Sequence, residues 1–169
     1  LDNVTVFGGS NLVISQEGYL LSDEMVDFHT EDFGIKSLQL ISFRSQNKAI
    51  LKYWKSPNKP IKEGILISCE HDSNYFHWLI EVLPKFLLID FQKKYTDVPL
   101  LIPTELHKNL MDALERVNIN NHPIIHLAPN VGYKVDRLIF PSALSRIVDR
   151  YKGTPVFDTD IVLSPKWIT

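Results

Sequence analysis

Apolar residues follow two rhythms along this chain. Up to residue 55 they come in short runs: Val4-Thr5-Val6-Phe7, Leu12-Val13-Ile14, Tyr19-Leu20-Leu21, Ser37 to Phe43 and Ala49 to Trp54. Such runs predict strands, parted by turns at Gly8-Gly9-Ser10-Asn11 and Gln16-Glu17-Gly18. A Gly-x-Gly-x-x-Gly phosphate loop is not completed at Gly8, so a hairpin turn is the better reading. From residue 63 the rhythm changes to strand, helix, strand. Buried strands are expected near 65–68, 98–102, 124–127 and 135–140. Helices are expected near 74–91 and 105–117. The first helix carries a stripe of Phe76, Leu79, Ile80, Leu83, Phe86 and Leu87, and the second one of Leu106, Leu110, Met111, Leu114 and Val117. Short apolar strands alternating with helices predict an α/β fold: a mainly parallel sheet, covered on both faces and built with right-handed crossovers. The expected organisation is a β-rich segment at 1–62, an α/β part at 63–148, and a connecting tail at 149–169.

The stretch 64–91 organises the rest. A strand ends in a polar corner, Ser68 to Asn74, that holds Glu70, His71 and Asp72. Asn74 or Ser73 can cap the helix that follows, because their short side chains accept from its orphan N–H groups. Pro84 removes a donor and crowds the preceding turn, which predicts a break near Leu83 and a resumed helix to about Phe91. Thr104 is the expected cap of the second helix. The corner after a parallel strand is the usual place for a ligand in an open α/β sheet. His77, Glu81 and Lys85 follow at four-residue steps, so they share one helix face there.

Composition narrows the function classes. Net charge −2 and a pI near 6.3 leave no basic footprint for nucleic acid. No run approaches the ~20 apolar residues of a membrane helix. No signal peptide is legible, and the chain begins Leu1-Asp2-Asn3, which suggests a piece of a longer protein. The single cysteine, Cys69, ends an apolar strand and reads as a buried structural thiol, compatible with a reducing compartment such as the cytoplasm. An acidic patch of Asp23, Glu24, Asp27, Glu31 and Asp32 around His29 matches no metal loop and reads as a solvated face. Nothing has zinc-site spacing, so neither a metal nor a cofactor is expected. His107, His122 and His126 stand singly and read as surface or loop residues.

The residues His71-Asp72-Ser73-Asn74-Tyr75-Phe76-His77-Trp78-Leu79-Ile80-Glu81-Val82-Leu83-Pro84-Lys85 resemble the signature of glycosyltransferase family 61, the capsular polysaccharide biosynthesis proteins of bacteria. Gly18-Tyr19-Leu20-Leu21 and Val135-Asp136-Arg137-Leu138-Ile139-Phe140-Pro141-Ser142 echo it in order. The resemblance implies a GT-B architecture, two Rossmann-like lobes facing a cleft, with this chain as the N-terminal, acceptor-side lobe. It further implies metal-independent, inverting transfer from a nucleotide sugar to a glycan acceptor, with a C-terminal lobe of the same parent protein holding the donor. This half alone would be inactive.

Inverting transfer needs a general base for the acceptor hydroxyl, and imidazole suits it because its pKa lies near neutrality. His77 or His71 is the expected base, with Asp72 the carboxylate alternative. Asn74, Tyr75, Trp78 and Glu81 are the expected acceptor contacts, Tyr75 or Trp78 stacking on a sugar ring. Two structural readings stay open beside these: His77 bonded to a neighbouring loop in the core, and Glu81 as its partner or that of Lys85. At the level of the whole chain the alternatives are a non-catalytic glycan-binding or scaffolding domain, or a hydrolase using His77 and Asp72. No Gly-x-Ser-x-Gly elbow supports the hydrolase.

Overall fold

A computed structural model describes residues 1–22, 40–45, 48–69, 71–90, 94–144, 146–147 and 161–162. The acidic patch with His29, the start of the run at Ser37, Glu70, the expected helix end at Phe91 and most of the tail lie outside them.

The N-terminal strands are β1 (Asp2–Phe7), β2 (Val13–Ile14), β3 (Leu20–Leu21), the hairpin β4 (Ile41–Ser45) and β5 (Lys48–Leu51), and β6 (Trp54–Lys55). Then come β7 (Ile61–Leu66), α1 (Tyr75–His77), a π-helical turn over Trp78–Val82, α2 (Lys85–Asp90), β8 (Leu100–Pro103) and α3 (Lys108–Val117). The chain continues with β9 (Ile124–Leu127), β10 (Val131–Ile139) and the short antiparallel pair β11 (Arg146–Ile147) and β12 (Ile161–Val162).

The main sheet runs β3-β2-β1-β10-β7-β8-β9, with β6 beside the start of β10. It is mixed. β10, β7, β8 and β9 are parallel neighbours, whereas β1 is antiparallel to β10 and to β2, and β2 to β3. The expectation of helices on both faces is corrected here. Strands alternate their side chains between faces, which splits each apolar run into two sets. Ile65, Ile67, Leu100 and Ile102 meet the helices through Trp78, Val82, Phe86, Leu110 and Leu114. Leu66 and Leu101 instead meet Val4, Val6, Val13, Val135 and Leu138. Among the described residues, the second face packs strand against strand of the curled sheet, with no helix in its core cluster.

The reason is a connection too short for a helix. β9 and β10 are separated in the sheet by β7 and β8, yet only residues 128–130 join them. The sheet must therefore curl, which brings the end of β1 beside the residues that follow β9. Gly8 bridges Pro129, Tyr133 Oη accepts from the Ala128 N–H at 3.0 Å, and Thr104 N–H donates to the Leu127 carbonyl at 3.1 Å. The close approach needs Gly8, since a Cβ there would fall 2.2 Å from the Leu127 carbonyl oxygen.

Element boundaries moved in two instructive places. β7 and β10 start earlier than expected, at Ile61 and Val131, because each has a partner to pair with upstream. α3 starts at Lys108, capped by the His107 imidazole accepting from Asn109 N–H at 3.2 Å, and not at Glu105 behind Thr104. The Thr104 N–H is committed to the Leu127 carbonyl, so the chain is still leaving the strand there. No helix among the described residues is long and apolar enough to cross a membrane.

Gly8→Ala drives a methyl into backbone that cannot step aside. It should cost about 1–3 kcal/mol of stability, more than Gly9→Ala, which meets open space and only the strain of a positive φ. Urea midpoints of the two variants check this, and equal midpoints would remove the closure at Gly8.

Candidate active site

The polar corner sits where the order of the sheet reverses. From β7 the chain moves outward to β8 and β9, then returns to place β10 on the opposite side of β7. At this reversal the chain leaves the carboxyl end of β7 through the polar corner, and the carboxyl ends of parallel strands are where α/β proteins commonly place a ligand. The chain leaves β7 at that point, after Leu66. β11 lies against the π-helical turn on the same side.

Asn74 starts the helix as expected: its side chain accepts from Phe76 N–H at 2.9 Å, and its own N–H donates to the His71 carbonyl at 2.8 Å. One α-turn later the helix widens. Leu83 N–H reaches back five residues to the Trp78 carbonyl at 2.9 Å. Pro84 explains the change, because in a regular helix its ring would press on the carbonyl four residues earlier. The extra residue in the turn absorbs that clash, and α2 restarts at Lys85. Such π-turns recur at functional sites.

The break rearranges the predicted helix face. His77 and Glu81 keep their pairing, Nδ1 to Oε2 at 3.1 Å with each side chain 14% exposed. Lys85 turns inward. It is 1% exposed and donates from Nζ to the Ser68 carbonyl at 3.0 Å, tying α2 to the end of β7. Asp72 is buried as well and accepts a short hydrogen bond from the Ser68 hydroxyl. Burial pushes its carboxyl up to about 6, against the Ser68 and Ser73 hydrogen bonds and the nearby charges of His71 and Lys85. The Cys69 thiol is buried, as expected. Desolvation first, then the charges of Asp72 and Glu81, push it well above its ordinary value, so it is no nucleophile.

Of the expected site residues, the structure brings His71, His77 and Glu81 together, with His71 exposed and His77 and Glu81 mostly covered. The two imidazole centroids stand 5.0 Å apart. Asp72 lies beneath them and not in a common open cleft. Trp78 requires a correction. It is 0% exposed and its indole N–H donates to the Leu110 carbonyl at 3.1 Å, so it offers no face to a sugar and locks the turn onto α3. Phe76, counted in the apolar stripe, is 49% exposed, because the π-turn shifts the core positions to Trp78, Val82, Leu83, Phe86 and Ile89. Tyr75 is 55% exposed and Asn74 is taken by its cap. Elsewhere His122 is buried, with its Nδ1 3.0 Å from the Val98 carbonyl, a structural role that its lone position in the sequence hid. Among the described residues no group of three His, Cys, Asp or Glu side chains is arranged to hold a metal.

Comparison with protein-family models, with curated proteins and with solved structures finds no match. Function therefore has to be argued from the chemistry of the corner.

That chemistry is directional. An ionised carboxylate only accepts hydrogen bonds, so Glu81 holds His77 with the proton on Nδ1. In the neutral imidazole Nε2 then carries the lone pair. A base oriented by a second-tier carboxylate, beside another imidazole and above a buried acid, is equipped to take a proton from a hydroxyl.

Asp72 binds its proton more tightly folded than unfolded. Its contribution to stability is full below about pH 4 and is lost as pH rises through about 6. Asp72→Asn should flatten this part of the stability–pH curve and stabilise the protein near pH 8. The ceiling is about 3 kcal/mol, at about 1.4 kcal/mol for each pKa unit from 3.8 to about 6. Lys85→Met should move the Asp72 titration to still higher pH, since the ammonium opposes the shift. A carboxyl carbon titrating near 4 by NMR would contradict both.

Proposed function

We propose that this chain is the acceptor-side lobe of an inverting glycosyltransferase that moves a sugar from a nucleotide-sugar donor to a glycan acceptor. The observation that carries the reading is the His77–Glu81 pair beside His71 at the reversal point of the sheet. The β7-helix-β8-α3-β9 unit, parallel strands joined through helices on one face, supports reading the parallel part as a Rossmann-like element, although the antiparallel strands and the curl of the sheet depart from a doubly wound lobe. The run from His71 to Lys85 supports the family reading on sequence.

In this reading His77 Nε2 takes the proton of the acceptor hydroxyl as its oxygen attacks the anomeric carbon. The bond from that carbon to the donor diphosphate breaks on the opposite face, and the configuration inverts. Glu81 orients the ring and stabilises the imidazolium that forms. His71 is placed to bind the acceptor hydroxyl or relay the proton. The donor and its diphosphate belong to a facing C-terminal lobe of the parent protein, where positive groups or helix N-termini would hold the leaving charge.

In the full-length parent, His77→Ala should lower turnover by roughly 10²–10⁴-fold, with a stability loss of only about 1 kcal/mol for the hydrogen bond to Glu81. Glu81→Gln should lower it less, since the ring keeps a hydrogen-bonding neighbour. Release of nucleoside diphosphate from a nucleotide sugar in the presence of acceptor measures this. Unchanged turnover with a large fall in midpoint would make His77 a packing residue.

A further inference from the structure

The net charge of −2 conceals an uneven distribution along the chain. From Ile41 to Lys62 the charged residues are Arg44, Lys48, Lys52, Lys55, Lys59 and Lys62, all of them basic. The same segment holds three large apolar side chains that stand in solvent: Phe43 is 55% exposed, Ile50 57% and Trp54 79%. The β4–β5 hairpin gathers them. Phe43 lies directly opposite Ile50 across the antiparallel pair, and residues so placed share one face of the ribbon. From Lys48 to Trp54 exposure alternates as along a strand. Leu51 and Tyr53 point inward, against Phe7, Leu12 and Leu40. Lys48, Ile50, Lys52 and Trp54 are left on the outer side, and Lys55 and Lys59 continue the exposed run. No carboxylate among the described residues pairs with Lys52, Lys55 or Lys59. The outer face is an apolar strip interleaved with lysines.

We propose that this face docks the chain on an anionic lipid surface, which it touches without crossing. Phe43, Ile50 and Trp54 enter the headgroup region, and the lysines meet the lipid phosphates and carboxylates. Lysine suits the flanks because its apolar stem lies along the membrane while the ammonium reaches the headgroups. An indole settles at the same depth, one end of the ring being apolar and the other wet. Basic residues beside such a surface are drawn to its negative potential, which complements the charge of this strip. A single-stranded nucleic acid fits less well, because Ile50 at the centre gives a base no π face to stack on. A second copy of the chain would set like charges against one another. Docking leaves the polar corner open. Lys55 pairs with Gly132 at the start of β10, whereas the corner lies beyond the end of β7, where Ile65 pairs with Ile139. Lipid binding is therefore independent of the transferase reading.

Sedimentation of the full chain with vesicles tests this, using phosphatidylcholine alone or phosphatidylcholine with phosphatidylserine at about three to one. The chain should bind the mixed vesicles, bind the neutral ones at least about tenfold more weakly, and be released as salt is raised. Trp54 emission should shift to the blue on binding, and Trp54→Phe should remove that shift while keeping binding within about threefold. The double variant Lys52→Gln, Lys55→Gln and, separately, Ile50→Ser should each weaken binding at least about fivefold. These side chains are exposed, so the fold tolerates their replacement. Four results overturn the docking face: no binding of mixed vesicles, equal binding of both kinds, binding that either variant leaves unchanged, or Trp54 emission that does not move. An oligothymidylate that binds as tightly as the mixed vesicles and competes with them would assign the strip to nucleic acid instead.

Discussion

The site depends on β7 having parallel partners on both of its sides. β8 flanks it on one side and β10 on the other, so the chain has to leave its carboxyl end in one direction and come back from the other. A strand so placed is buried on both faces, which is why Ile65, Leu66 and Ile67 are all apolar and fully covered. The residues just beyond have no neighbouring ladder to pair with and are free to carry chemistry. Ser68, His71 and Asp72 occupy those positions.

The helix that follows is built to hold this corner still. Asn74 sets its start, Pro84 forces the wide turn, and the wide turn brings Lys85 under the corner to bond the Ser68 carbonyl. Trp78 fixes the same turn from the other side through Leu110. The His77–Glu81 pair is therefore carried by a segment clamped at both ends, and its imidazole is aimed by packing as well as by its carboxylate partner. A buried ammonium and a buried carboxyl are costly in a core of this size. The hydrogen bonds from Lys85 to the Ser68 carbonyl and from the Ser68 hydroxyl to Asp72 offset part of that cost.

Much of this was legible in the sequence because it is local. The apolar run at Ile124 to Leu127 is the strand β9, the Asn74 cap forms, and the break near Leu83 follows from Pro84. The pairing of His77 with Glu81 follows from four-residue spacing alone. What was not legible depends on partners far along the chain. Nothing near Val135 announces that β1 will pair with it antiparallel, and nothing near Ala128 shows that three residues will make the sheet curl. The fate of the aromatics turned on one residue of helical register. A regular helix would bury Phe76 and the π-turn exposes it. The same shift puts Trp78 in the core and Lys85 beneath the corner, against the expectation from a regular 3.6-residue period.

The orientation of His77 is the claim on which the proposed chemistry stands, and nitrogen-15 NMR of its imidazole tests it most directly. In the neutral ring the account predicts the Nδ1–H tautomer, with Nε2 resonating as an unprotonated, lone-pair nitrogen and Nδ1–H coupled to Glu81. That is the minor form of free histidine, so its dominance would be the work of the carboxylate. Finding the Nε2–H tautomer instead would leave no base facing the acceptor and would contradict the account.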